Sequence, residues 1–121
     1  MHEVIFYQKT NGESPVLDYL RELQRQDSKD ARIRKNKIIQ YIKILEAKGT
    51  RAGEPVMKHI EDDIWELRPS SDRVLFAGVV GSRFVLLHVF AKKTMKTPKR
   101  EKEQAKQELK DFLARDSYEK E

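Results

Sequence analysis

The chain has 121 residues, enough for one domain with a modest core, and combines a low hydrophobic fraction of 38% with a charged fraction of 37%. Its net charge of +5 and sequence pI of about 9.4 favour polyanionic partners. The absence of cysteine excludes a disulfide framework and thiolate chemistry, and no apolar run reaches the roughly 18 residues of a membrane span, so a soluble, cytoplasmic protein is expected.

Glu3–Lys9 carries Val4, Ile5, Phe6 and Tyr7 and predicts a short strand, closed by the turn Thr10-Asn11-Gly12. Ser14-Pro15 places an N-cap before a proline at the first helical position. Val16, Leu20 and Leu23 then recur at helical spacing and predict an amphipathic helix over Pro15–Gln26. Asp27 or Ser28 can cap a second helix near Lys29, with Ala31, Ile38, Tyr41, Ile42 and Leu45 as its apolar stripe and Gly49 as its stop. The short break between the two predicts an αα-hairpin. Arg32, Arg34, Lys35 and Lys37 make the first half of the second helix basic and read as a solvated face.

Thr50–Pro55 reads as a polar loop, Val56–Ile60 as a short edge strand and Glu61–Asp63 as an acidic turn. Ile64–Arg68 alternates, with Trp65 and Leu67 on one face and Ile64, Glu66 and Arg68 on the other, so Trp65 reads as core. Val74–Val80 and Phe84–Ala91 are apolar at nearly every position, as strands inside a covered sheet are, and Gly81-Ser82 between them suits a type II′ turn. Thr97-Pro98 repeats the cap-plus-proline signature before a last helix whose narrow stripe is Ala105, Leu109, Phe112 and Leu113. Residues 116–121 read as a frayed tail. The order β-α-α-β-β-β-β-α predicts a single α+β domain over residues 1–121. It has a mainly antiparallel sheet of four to five strands, an N-terminal αα-hairpin and a C-terminal helix.

Antiparallel pairing through the hairpin returns the end of its second strand to the start of its first. Lys92 and Lys93 are therefore expected beside Arg73, with Arg68 joining across the Pro69–Asp72 turn and Lys96 close by. Arginine offers a planar fork to phosphate. Lysine is a compact charge that can lose its proton when neighbouring cations depress its pKa. Such a cluster suits phosphodiester cleavage of RNA: the ribose 2′-hydroxyl attacks phosphorus, cations stabilise the added charge and the 5′-oxygen leaves. The plain alternative is a set of solubilising charges at strand ends. His2, His59 and His88 fall in separate elements without metal-ligand spacing, and neither a metal nor another cofactor is expected. No Gly-rich phosphate loop or nucleophile elbow occurs. His88, inside FVLLHVF, reads as a hydrogen-bonded core residue, and His59 has similar standing. His88, His59 or a lysine stays open as general base or acid.

The stretch IWELRPSSDRVLFAGVVGSRFVLLHVFAKKTMKTPKREKEQA resembles the HigB-like, phage-derived branch of the RelE/ParE toxin superfamily. The matching features are Glu66-Leu67-Arg68, Arg73 opening a strand, Leu86-Leu87-His88-x-Phe90, and Lys92-Lys93-Thr94 followed by Lys96-Thr97-Pro98. The resemblance implies a RelE-like, microbial-ribonuclease-like fold and the toxin of a type II toxin–antitoxin pair. Such a toxin is a metal-independent endoribonuclease that cuts messenger RNA on the ribosome and so inhibits translation. It also implies silencing by a helix-turn-helix, HigA-like antitoxin in a heterodimer or heterotetramer, with no role for a membrane. By position, Arg73 corresponds to the arginine at the scissile phosphate and Arg68 to the arginine before the turn. Lys92 and Lys93 correspond to residues for transition-state stabilisation or proton transfer. Phe90 would position a base, and Lys96, Lys99 and Arg100 would hold RNA backbone. Some relatives use a C-terminal tyrosine or histidine at the cleavage site, whereas Tyr118 is expected too far beyond the last helix to assign, which leaves the proton donor open. Two other readings stand beside this one. Gyrase-inhibiting, ParE-like members share the fold without cutting RNA, and a non-catalytic RNA-binding module would bind without cleaving.

Overall fold

The structure is a computed structural model that describes residues 1–119, with side-chain surroundings through Asp116. In chain order the elements are β1 (Glu3–Phe6), α1 (Pro15–Arg25), α2 (Lys29–Lys48), a 3-10 turn (Gly49–Ala52), β2 (Met57–Glu61), β3 (Ile64–Leu67), β4 (Asp72–Val79), β5 (Arg83–Ala91) and α3 (Lys99–Glu119). The five strands lie in the order β1-β5-β4-β3-β2. β1 runs parallel to β5, and the other neighbours are antiparallel. The fold is therefore α+β with a mostly antiparallel sheet and helices from both ends of the chain, as the hydrophobic pattern predicts. No helix among the described residues is long and apolar enough to cross a membrane.

Both faces of the sheet are covered. On one, the stripes of α1 and α2 (Val16, Leu20, Leu23, Ala31, Ile38, Ile42 and Leu45) pack on Leu67, Val74, Phe76 and Leu86, with Trp65 and Tyr41 against their edge. On the other, Ala105 and Leu109 of α3 pack on Ile64, Leu75, Ala77, Val85 and Leu87. Successive residues of β4 and β5 thus serve different helices, which is why both runs are apolar at nearly every position. Phe112 joins the α3 cluster, but Leu113 is 43% exposed, so the stripe of that helix is one residue narrower than its sequence predicts.

Of the local devices, the α2 cap is one of the two expected, and several others depart from expectation. Ser28 caps α2 by accepting from the Ala31 N–H at 3.1 Å. Ser14, at the head of α1, instead donates its hydroxyl to the Tyr7 carbonyl at 2.8 Å and so ties the helix to the strand end. Thr97 likewise makes no cap, because its hydroxyl goes to Glu66. α3 begins after Pro98, whose carbonyl accepts from the Glu101 and Lys102 N–H groups. The β4–β5 hairpin closes with Val79 opposite Arg83, leaving Val80, Gly81 and Ser82 in the loop. Gly81 (φ 88°) and Ser82 (φ 58°) are both left-handed, so the turn is not type II′, in which only the first central residue has positive φ. α3 runs on through Glu119, past the start of the expected tail, and Arg83 grips Asp116 at 2.9 and 3.1 Å. Residues 120–121 of that tail lie outside the described residues.

One irregularity positions a side chain. Phe76 pairs with Leu86 and Leu75 with His88, so Leu87 is an extra residue in β5. A bulge of this kind breaks strict alternation and re-aims the side chains beyond it. Leu87, His88 and Phe90 all meet the α3 side of the sheet.

Candidate functional site

The site forms where the turn before β4 meets the segment after β5. The Asp72 N–H bonds the Pro69 carbonyl at 3.1 Å, and the Lys92 N–H bonds the Ser71 carbonyl at 2.8 Å. Register sets Arg73 opposite Phe90 and Asp72 opposite Ala91. Beside this junction opens a cleft of about 250 Å³ whose wall includes Arg73, Phe90, Lys92, Lys93, Lys96 and Arg100, together with Glu66, Thr97 and Glu101. Six of the eight residues singled out in the sequence therefore meet in one place. Arg68 and Lys99 do not line it: Arg68 sits behind the wall, and Lys99 is exposed at the start of α3.

Arg73 is the ordered cation of the cleft. It is largely buried, its Nη1 donates to the carbonyls of Ser70 and Asp72 at 2.9 and 2.8 Å, and its Nε lies 3.8 Å from Glu66 Oε1. Burial lowers its pKa from the usual arginine value. Glu66 opposes that shift and the neighbouring Arg68 adds to it. Arginine starts high enough to remain charged regardless. A guanidinium already held by backbone carbonyls loses little freedom when it binds a phosphate. Lys92, Lys93, Lys96 and Arg100 are exposed around it.

Glu66 belongs to the Glu66-Leu67-Arg68 feature, and its alternation with Leu67 puts it on the face of Arg68, but the sequence assigns it no role in the site. It is 2% exposed beneath the cleft. Its Oε1 faces Arg68 Nε at 3.4 Å and Arg73 Nε at 3.8 Å, while Oε2 accepts from Thr97 Oγ1 at 2.5 Å. It offsets two cations and ties the Lys92–Lys96 segment to the sheet, because Thr97 ends that segment. Arg68 also reaches Glu54 at 3.7 Å, and its backbone N–H bonds the Val56 carbonyl, so it braces the sheet end from the β2 side.

A second missed device lies on the opposite face. Asp72 is fully buried and accepts from Tyr19 Oη at 2.6 Å and from Arg34 Nε and Nη2 at 3.1 and 2.8 Å. Arg34 Nη2 also donates to Tyr19 Oη at 2.7 Å. Burial and the Asp72 bond push the Tyr19 phenol up to about 12, and the Asp72 bond holds Arg34 above its ordinary value. Arg34 is therefore no part of a solvated face. Its side chain is 21% exposed and locks α1 and α2 to the first residue of β4. Among its basic neighbours, Arg32 and Lys37 are exposed as expected.

The two histidines held open for proton transfer separate clearly. His59 lies on edge strand β2, bonds the Asp62 carbonyl at 2.6 Å and is not part of the cleft. His88 is partly buried behind the cleft, with Nε2 at 2.6 Å from Glu101 Oε1 and Nδ1 at 3.8 Å from Glu108 Oε1. Glu108 is 3% exposed, and burial raises its pKa above the ordinary carboxylate value, against the opposing pull of His88. The Tyr118 side chain lies outside the described residues. Among the described residues, no group of three or more His, Cys, Asp or Glu is placed to hold a metal ion.

Residues 16–110, a span that includes the whole cleft, match the family model described as "Phage derived protein Gp49-like (DUF891)". No curated protein matches the chain.

Proposed function

We propose a function from the premise that match establishes: the chain belongs to the phage-derived Gp49-like family, a RelE/ParE-like toxin family. In this reading it is a HigB-like endoribonuclease toxin of a type II toxin–antitoxin pair that cuts messenger RNA on the translating ribosome. The observation that carries the reading is the convergence of an ordered, largely buried Arg73 with exposed Lys92, Lys93, Lys96 and Arg100 around one cleft.

The scissile phosphate seats against Arg73. As the ribose 2′-oxygen bonds to phosphorus, charge builds on the non-bridging oxygens, where Arg73, Lys92 and Lys93 oppose it. The bond to the 5′-oxygen then breaks and Lys92 or Lys93 protonates the leaving group, giving a 2′,3′-cyclic phosphate and a 5′-hydroxyl. Arg68 acts through Glu66, keeping Arg73 in place. Phe90 lines the cleft wall where a base can pack against it, and Lys96 and Arg100 follow the RNA backbone, with Lys99 exposed outside the cleft and contributing little. No metal or other cofactor takes part. The partners are the ribosome with its message and a helix-turn-helix, HigA-like antitoxin that covers the cleft in a heterodimer or heterotetramer. The setting is the cytoplasm, with no membrane involved.

Primer extension on a defined message in a translating extract tests this reading. Cuts that need ribosomes and survive EDTA are expected. Intact messages together with covalent gyrase–DNA complexes would replace the reading with gyrase poisoning.

A further inference from the structure

The reaction needs a group to take the 2′-hydroxyl proton, and the cleft offers few. Its lysines and arginines are donors. Glu66 is buried, with one oxygen turned to Arg68 and Arg73 and the other bonded to Thr97. Glu101 is the other carboxylate in the cleft wall, and it also borders an adjoining hollow that contains His88 and Glu108. The first turn of α3 and the bulge at Leu87 bring its partner to it: Glu101 Oε1 meets His88 Nε2 at 2.6 Å. Glu101 Oε2 lies 3.9 Å from Arg100 Nη2, beyond hydrogen-bond reach, and among the described residues it carries no hydrogen bond like that of Oε1.

We propose that Glu101 is the general base of the cleft and that His88 is its positioning residue, holding one carboxylate oxygen so that the other faces the ribose. The inference rests on the RNA-cleaving reading of the cleft. In the step, Glu101 Oε2 takes the proton from the 2′-hydroxyl as the 2′-oxygen bonds to phosphorus. The bond to the 5′-oxygen breaks, and Lys92 or Lys93 gives that oxygen a proton. One proton is gained by the carboxylate and one lost by the ammonium, and exchange with water resets both. His88 does not touch substrate. Its Nε2 bond fixes the carboxylate, while Glu108 Oε1 lies behind the ring, 3.8 Å from Nδ1 and likewise beyond hydrogen-bond reach. The charged groups facing this pair are Lys9 and Glu13 from the loop before α1, Asp18 from α1 and Arg100 and Glu108 from α3 on one side, and Glu66, Arg73, Lys92, Lys93 and Lys96 on the cleft side. The pH profile of the whole protein is therefore compared between variants and not read from one group.

The test measures single-turnover cleavage on programmed ribosomes across pH, using the full chain. Glu101→Gln keeps the shape and is expected to lower the rate by about 10²–10⁴-fold at unchanged ribosome affinity, with the acid limb of the profile gone. Glu101→Ala is expected to regain part of its rate on addition of formate, which a purely structural role would not allow. Glu101→Asp, one methylene shorter, keeps an acid limb at a reduced rate and serves if Glu101→Gln fails to fold. His88→Gln retains a donor and is expected to lose less rate than Glu101→Gln while moving the acid limb. His59→Ala is expected to cleave at the wild-type rate. A folded Glu101→Gln with the wild-type rate and acid limb, alongside an inactive Arg73→Ala, would overturn the assignment of Glu101 and leave the RNA-cleaving reading standing. Cleavage undiminished in Arg73→Ala, or absent in the wild type, would remove both.

Discussion

Asp72 and Arg73 are neighbours in the chain, and the charge around each is used in opposite ways. On the helix-hairpin side, Asp72 is fully buried and its carboxylate accepts three hydrogen bonds from Tyr19 and Arg34, so these charges are matched within the chain. On the α3 side, Arg73 has one buried carboxylate, Glu66, shared with Arg68, while Lys92, Lys93, Lys96 and Arg100 stand around it exposed. One end of one sheet therefore carries a closed charge network that holds the fold and an open one that can accept a phosphate. Counting basic residues cannot tell the two apart. What separates them is whether an anion of the chain already sits on each cation.

That contrast can be broken from the closed side first. Asp72→Ala would leave Arg34 and Tyr19 without their partner and is expected to cost about 3–5 kcal/mol of stability, read from urea unfolding. Loss of cleavage in that variant should follow unfolding. If cleavage vanished while the unfolding midpoint held, Asp72 would belong to the open side instead. The double variant Lys92→Ala with Lys93→Ala should do the reverse, cutting cleavage by about 10²-fold with unfolding within about 0.5 kcal/mol of the wild type.

Alkali sharpens the same contrast. The Tyr19 phenol is pushed up to about 12 by burial and Asp72, and the Tyr7 phenol to about 12 by burial and Asp111, against an ordinary value near 10. The unfolded chain gives up these protons first. The stabilisation they reflect is therefore complete below about pH 10 and drains away as pH rises toward 12. Tyr19→Phe and Tyr7→Phe should each flatten this alkaline fall in unfolding free energy. An unchanged slope in both would contradict the assigned network. The smallest effect is expected at Lys99, outside the cleft, where Lys99→Ala should leave cleavage near wild type. Removing Lys96 should reduce the salt dependence of RNA affinity by up to about 0.7 in log–log slope.

Much of this layout is legible in the sequence, and the part that is not has a physical reason. The helix pair, the central hairpin and the closing helix announce themselves through apolar spacing and turn residues, all of them local signals. The meeting of Arg73 with Lys92 and Lys93 follows from antiparallel return across a tight hairpin, again a short-range inference. Arg34 escapes because its partner lies 38 positions away and its own helix neighbours are exposed cations like itself before folding. The bulge at Leu87 escapes because FVLLHVF is apolar on both faces, so no break in alternation marks it. The pairing of His88 with Glu101 depends on that bulge and on the docking of α3, and is invisible for the same reason. The burial of Glu66 is half legible: the alternation gives its face, but only the fold places Thr97 above it.

The most direct measurement compares Arg73→Ala with the wild type in ribosome-dependent cleavage and in urea unfolding on the same preparations. The account predicts a rate lower by about 10²–10³-fold with the fold retained. A folded Arg73→Ala protein that still cuts messages at the wild-type rate would contradict it.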